Sequence, residues 1–250
     1  MSAIYTTVIY QPILNLLIFF YQTIAFNDLG VAIILVTLVV RLILFPIFQK
    51  SVRHQTVMQR LNPEIKKIQD QHKNDRQKQG EAMIALYKEH KINPFSGIFL
   101  LLVQLPILFA LFQIFNNILD PNAFDLVYSF ISAPQNFQTH FFGTDLIPLE
   151  KSNIIIAGLA AIAQYFQAYF SLAKTKPGEA KTTAEQVGRQ MVYIMPAITF
   201  AFLFTLPAAI GLYWIVTSLF SVVQQKIVNK EFTHDKLGNI RKGNDGDGRV

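Results

Sequence analysis

This sequence predicts an all-α polytopic membrane protein, with five transmembrane helices, an N-terminal interfacial helix and a cytoplasmic helical hairpin. Three observations carry that expectation. Of 250 residues, 52% are hydrophobic and only 15% charged, against roughly 25% charged in soluble domains. The apolar residues gather into long stretches at 3–26, 29–48, 95–115, 153–173, 191–206 and 208–223, most of them near the ~20 residues that a bilayer requires. Lys and Arg are crowded into alternate connecting segments, the bias that orients membrane helices.

The first stretch, within residues 1–28, differs from the rest. Gln11, Asn15 and Gln22 project within about 40° of one another at 100° per residue, among Tyr5, Tyr10, Phe19, Phe20, Tyr21 and Phe26. One polar stripe among aromatics suits a helix lying in the membrane interface, with Pro12 in its first turn. The alternative is a sixth span. No Lys or Arg precedes Arg41, so no cleavable signal peptide is expected, and the first span acts as its own insertion signal.

The second stretch opens the core, 29–230, and reads LGVAIILVTLVVRLILFPIF. It predicts a span over 29–50 with Arg41 inside it and Thr37 one turn away on the same face. A charge inside a membrane helix costs from ~3 to over 10 kcal/mol and marks function by default. The competing reading is snorkelling, with Arg41 stretching toward the basic segment that starts at Lys50.

Segment 51–92 reads as a charged hairpin rather than a linker. Met58, Leu61, Ile65 and Ile68 follow a 3-4-3 spacing. Asn62-Pro63 reads as a cap and a first-turn proline, Lys73-Asn74-Asp75 as a turn, and Met83, Ile84 and Tyr87 as the apolar stripe of a second helix. Further spans are expected at 94–117, 152–173, 190–206 and 208–229, with Thr205-Leu206-Pro207-Ala208 as a tight turn. The loop 118–151 reads as irregular with one short helix, 174–189 as a loop, and 231–250 as a disordered tail.

Charge sets the orientation. Residues 50–91 hold ten Lys/Arg, 174–189 four and the tail from Lys226 six, whereas 118–151 holds only Lys151 against Asp120, Asp125, Asp145 and Glu150. The positive-inside rule then places the N-terminus outside and the C-terminus in the cytoplasm of a cell-membrane protein.

The polar residues inside spans are Gln104, Gln164 and Gln167, with Tyr213 and Trp214 near the start of the last span. Each has an ordinary reading: a glutamine bonding a neighbouring helix, or an aromatic interface anchor. Together with Arg41 they form a set with no intramembrane Asp or Glu. An unpaired cation among weak polar partners implies a hydrated cavity and argues against a proton relay. The absence of cysteine excludes disulfides, thiolate metal sites, a cysteine nucleophile and a lipidated N-terminal cysteine. No cofactor, metal or catalytic residue is expected, and no phosphate-binding loop of the P-loop type is present.

The segments VTLVVRLILFPIFQKSVRHQTVMQRLNPEIKKIQ, ALYKEHKINPFSGIFLLLVQLPILFALFQIF and LPAAIGLYWIVTSLFSVVQQKIV resemble the YidC-type membrane protein insertases (the YidC/Oxa/Alb superfamily), over roughly residues 10–230. The resemblance implies a non-enzymatic insertase and chaperone for nascent membrane proteins, working in the bilayer alone or beside the Sec translocon and with ribosomes, and without sequence-specific nucleic-acid binding. It places the groove arginine on Arg41 and its threonine on Thr37. It puts a glutamine on Gln167, with Gln164 as the neighbouring choice, and the substrate-contacting aromatics on Tyr213 and Trp214. Gln104 joins this substrate groove, and Leu105 and Leu108 occupy apolar groove positions. The expected form is short, without a large extracytoplasmic domain. The modestly basic tail puts strong tail-driven ribosome binding in doubt. A small anion channel or transporter using Arg41 as its binding charge is the alternative function, and a structural subunit with a snorkelling Arg41 a further one.

Overall fold

The computed structural model describes residues 3–93, 95–132, 134, 136–147, 153–172 and 183–244. Helices follow the apolar stretches. α1 (Ala3–Tyr5) passes through a π-helical turn (Thr6–Tyr10) into α2 (Gln11–Thr23), forming one rod over Ala3–Thr23. The helix therefore begins well before Pro12, and the wide turn accommodates a residue that cannot donate to the previous turn. α3 (Leu29–Ile43) is capped by Asp28, whose carboxylate accepts from Val31 N at 2.9 Å.

The single span expected over 29–50 is broken. α4 (Phe45–Arg60) leaves α3 at an angle of 68°. Pro46 is the cause, because it has no N–H for the carbonyl of Leu42 and its ring crowds that turn. Among the described residues, four helices are long and apolar enough to cross a membrane, and five if the bent pair counts as one span. The rod Ala3–Thr23 is one of them. α9 (Thr183–Leu203), the expected span at 190–206, is not among them. Its first turns carry Glu185, Arg189 and Gln190, and the apolar run outlasts the helix, ending at Leu206.

α7 (Ser96–Asn117) carries Pro106 internally, and α8 (Ile154–Ser171) is capped by Asn153, which accepts from Ile155 N and Ile156 N at 2.8 and 3.1 Å. α10 (Ala208–Asn244) is the longest element. It packs along α8 and α3, α8 packs on α9, and α2 packs on α3 and α7. α10 also continues through residues 231–244, where the sequence predicts a disordered tail. That segment has no proline, and Phe232 is seated between Arg53 and Arg60, whose guanidinium carbons lie 5.6 and 4.5 Å from its ring centre. Residues 245–250, Pro94, Pro148, Lys151 and most of the 174–189 loop lie outside the described residues.

The loop predicted over 118–151 is more ordered than expected in its described residues. It holds a 3₁₀ turn (Pro121–Leu126) and a ribbon of β1 (His140–Phe141) and β2 (Thr144–Asp145), paired His140 to Asp145 and Phe141 to Thr144. Phe142 and Gly143 turn the ribbon at φ 47° and 76°. The Phe141 ring lies so close to Gly30 that a Cβ there would stand 2.2 Å from Cδ2. Leu146 O accepts from Ala209 N at 2.9 Å, tying the loop to the start of α10.

The polar stripe of the first rod grips this loop rather than facing water. Asn15 is 2% exposed. Its Nδ2 donates to Leu126 O at 3.0 Å and its Oδ1 accepts from Tyr128 N at 2.7 Å. Gln11 and Gln22 donate to Leu126 O and Ser132 O at 3.1 and 2.6 Å.

Within the segment 51–92, two helices form a hairpin. α5 (Asn62–Gln71) and α6 (Arg76–Glu89) bury Leu61, Ile65, Leu86 and Ile92 against Met58, Ile68, Met83 and Tyr87. The expected seam is present, with one exchange: Ile84 is exposed and Leu86 takes the inward place. Pro63 lies in the first turn of α5, but the Asn62 side chain caps nothing; Leu61 holds that position. Asp75 caps α6, accepting from Lys78 N at 3.0 Å.

Candidate functional site

The buried residues are sorted by chemistry along the bundle. Beside the loop the core is mostly apolar: Leu17, Ile18, Ala25, Leu29, Phe115, Leu146 and Ala209 are all but inaccessible, and Asn15 is the buried polar exception. Toward the other end the buried groups turn polar: Arg41, Ser51, Thr56, Ser218, Gln224 and Gln225. α3 and α10 run from one region into the other.

Arg41 lies in the last turn of α3, 5% exposed. A straight helix would put Phe48 ~10 Å further along. The break at Leu44 folds it back, so the guanidinium carbon lies 4.3 Å from the Phe48 ring centre. The α3 C-terminus also favours a cation. Among the described residues, Nε and Nη1 find no hydrogen-bond partner. A buried unsatisfied donor costs about 1–3 kcal/mol and more when charged. At that exposure the guanidinium does not reach the surface of the bundle as snorkelling requires. Tyr213, 3% exposed, is buried like Arg41.

Thr37 is buried, but its hydroxyl donates to Ile33 O of its own helix at 2.6 Å rather than serving Arg41. Gln104 on α7 donates from Nε2 to Tyr213 OH. Trp214 donates from Nε1 to Gln164 Oε1 on α8 at 2.8 Å. Neighbouring residues of α10 thus reach two different helices, and both aromatic tips end on glutamines inside the bundle. Of the two candidate glutamines on α8, Gln164 makes this bond. Gln167, a turn further on, accepts from Ser171 Oγ only through its backbone carbonyl. Leu108 packs against the main core, and Leu105 is half-buried on the same helix.

The sequence reading passed over a second polar group. Gln225 Nε2 donates to Thr56 Oγ1 at 3.0 Å, joining α10 to α4. Gln224 is 1% exposed with both amide atoms unpartnered, and Ser218 Oγ and Gln49 Oε1 are likewise buried without partners among the described residues. The available signal was spacing: Ser218, Ser221 and Gln225 share a face of α10 at 3-4 spacing.

The family model described as 60Kd inner membrane protein matches residues 19–236. The chain belongs to this family. Related proteins include the membrane protein insertase YidC of Campylobacter jejuni, 33% identical over 92% of this chain and 39% of that protein. Those of Syntrophobacter fumaroxidans and Magnetococcus marinus are 29% and 30% identical over 90% of this chain, and over 38% and 36% of their own lengths. The chain therefore spans about two fifths of the length of the curated relatives it matches. Membership of the family agrees with the YidC-type resemblance read from the motifs, and with a multi-pass membrane protein built from helices.

Proposed function

We propose that this chain guides nascent transmembrane segments into the bilayer through a hydrated groove around Arg41, open to the cytoplasm and to lipid. The observation that carries the reading is the buried Arg41 guanidinium with Nε and Nη1 unpartnered. A cation kept dry and unsatisfied is costly; the same cation in a wet cavity attracts the acidic flank of an arriving segment. A carboxylate within ~4 Å gains ~4 kcal/mol at an effective dielectric of 20. Polar groups in one half of the bundle shorten the apolar path that a client's polar flank must cross. The mostly apolar core at the loop end bars a through-path, which disfavours a channel. The client's span then slides into lipid, its burial contributing ~25 cal/mol per Å² of apolar surface without nucleotide hydrolysis.

The charge bias supports an N-terminus outside, a C-terminus in the cytoplasm and the hairpin on the cytoplasmic side. Residues 1–28 then lie against the outer leaflet or cross it. The resemblance supports nascent membrane proteins as clients, with the ribosome and the Sec translocon as partners. Proteoliposomes test the reading. Purified protein should protect a single-span client from protease and should pass no chloride. Chloride flux without client insertion overturns it in favour of an anion pathway. Orientation is tested in the same vesicles, since single cysteines can be placed freely: Lys73→Cys and Phe130→Cys should label from opposite sides.

A further inference from the structure

The contact between α4 and α10 includes uncharged polar groups. Gln49 and Thr56 are seven apart on one face of α4, and Ser218 and Gln225 seven apart on one face of α10. The Gln225–Thr56 bond joins the faces at 3.0 Å. Aromatic contacts bound the seam. Phe45 meets Phe220 at 6.3 Å between ring centres, and Phe232 lies beside Arg53 and Arg60. Along the two helices between these ends, Gln49 and Gln224 hold buried amide atoms without partners among the described residues, and Ser218 Oγ, just before Phe220, is likewise buried without one. Such groups favour any arrangement that gives them partners. α4 is separated from α3 by one non-helical residue, Leu44, at a 68° bend, so it can move without unwinding α3.

We propose that this seam is a second polar subsite, which receives the peptide groups of a client's uncharged flank when α4 swings away from α10 about Leu44. The inference rests on the insertase reading above and adds a site that Arg41 does not supply. Arg41 recognises charge. A carboxamide offers one N–H donor set and one carbonyl acceptor, the same pair as a peptide bond, so the seam recognises backbone without regard to sequence. The buried members carry no charge, so they hold a neutral flank without trapping it.

The experiment places a photo-crosslinking residue at 224, or at the neighbouring Val223, which is 57% exposed. Each variant is reconstituted in vesicles with a stalled single-span client bearing an uncharged flank. Position 224 should capture the client several-fold more than position 223. Bridging Thr56→Cys to Gln225→Cys with a reducible bis-methanethiosulfonate should abolish capture, and reduction should restore it. Equal capture from both positions, or capture unaffected by the bridge, overturns the subsite. Gln224→Leu, close in size, covers a probe that disturbs packing. It should insert the neutral-flank client several-fold more slowly at unchanged protein level, and parent-like insertion overturns the proposal. Insertion by the parent protein in the same vesicles separates the two ideas. A parent that inserts while 224 captures nothing refutes the seam alone; a parent that inserts nothing refutes the reading beneath it.

Discussion

Replacing Arg41 with methionine separates the energetic role of the residue from its functional one. Methionine keeps an unbranched apolar stem beside Phe48 but removes the charge and the unpartnered Nε and Nη1. Two buried unsatisfied donors cost about 2–6 kcal/mol together. Against this stand the lost contact with the Phe48 ring, 4.3 Å away, worth ~2 kcal/mol when desolvated, and the helix C-terminus, worth ~1 kcal/mol. The difference puts Arg41→Met between ~1 kcal/mol less stable and ~3 kcal/mol more stable than the parent. Thermal unfolding in nanodiscs measures that side. Insertion measures the other, with acidic-flank and neutral-flank versions of one client. Arg41→Met should lose most insertion of the acidic version and little of the neutral one, and Arg41→Lys should retain much of both. Two results refute the reasoning. A variant destabilised by more than ~1 kcal/mol means that the guanidinium is satisfied within the fold. A variant that inserts both clients like the parent means that Arg41 is not the attracting charge.

Three further outcomes are expected. Gly30→Val should push Phe141 off α3 and destabilise the loop ribbon by ~1–3 kcal/mol, seen as faster protease cleavage in 118–147 and a lower Tm. Asn15→Leu should leave Tyr128 N without its partner, and Leu126 O with Gln11 alone, and cost ~1–3 kcal/mol, with faster hydrogen exchange at Tyr128 as the readout. At Asp75, bonds from the Lys78 N–H and side chain hold the carboxyl below the ordinary carboxylate value. Its cap is then fully present above that ordinary value and lost as pH falls through the lowered one; amide exchange at Lys78 should rise over that acidic window, and Asp75→Ala should show the raised exchange at neutral pH.

Much of the fold was legible because its cause is local. Apolar length set the helices, and the 3-4-3 run at Met58, Leu61, Ile65 and Ile68 set the hairpin seam. The missed features depend on partners distant in sequence. The stripe of Gln11, Asn15 and Gln22 has the periodicity of a water-facing surface, but its partners are backbone groups more than a hundred residues away. Ile84 and Leu86 are equally apolar, and only the angle at which α5 meets α6 decides between them. Pro46 was visible in the sequence; that it breaks the span at Leu44, rather than kinking it gently, follows from the packing of α4 along α10. Within the site, Arg41 stood out because a charge in an apolar run needs no alignment to be noticed. Gln224 and Gln225 lie where the last span gives way to a basic segment, and there a glutamine reads as surface.

The pair Tyr213 and Trp214 has a mechanical consequence. Adjacent side chains on a helix diverge by about 100°, and these two are fastened to different neighbours, Gln104 on α7 and Gln164 on α8. Turning α10 about its axis therefore carries both tips off their partners at once. The helix is keyed like a shaft with two splines. Fastened to both α7 and α8, α10 keeps its rotational register against the bundle.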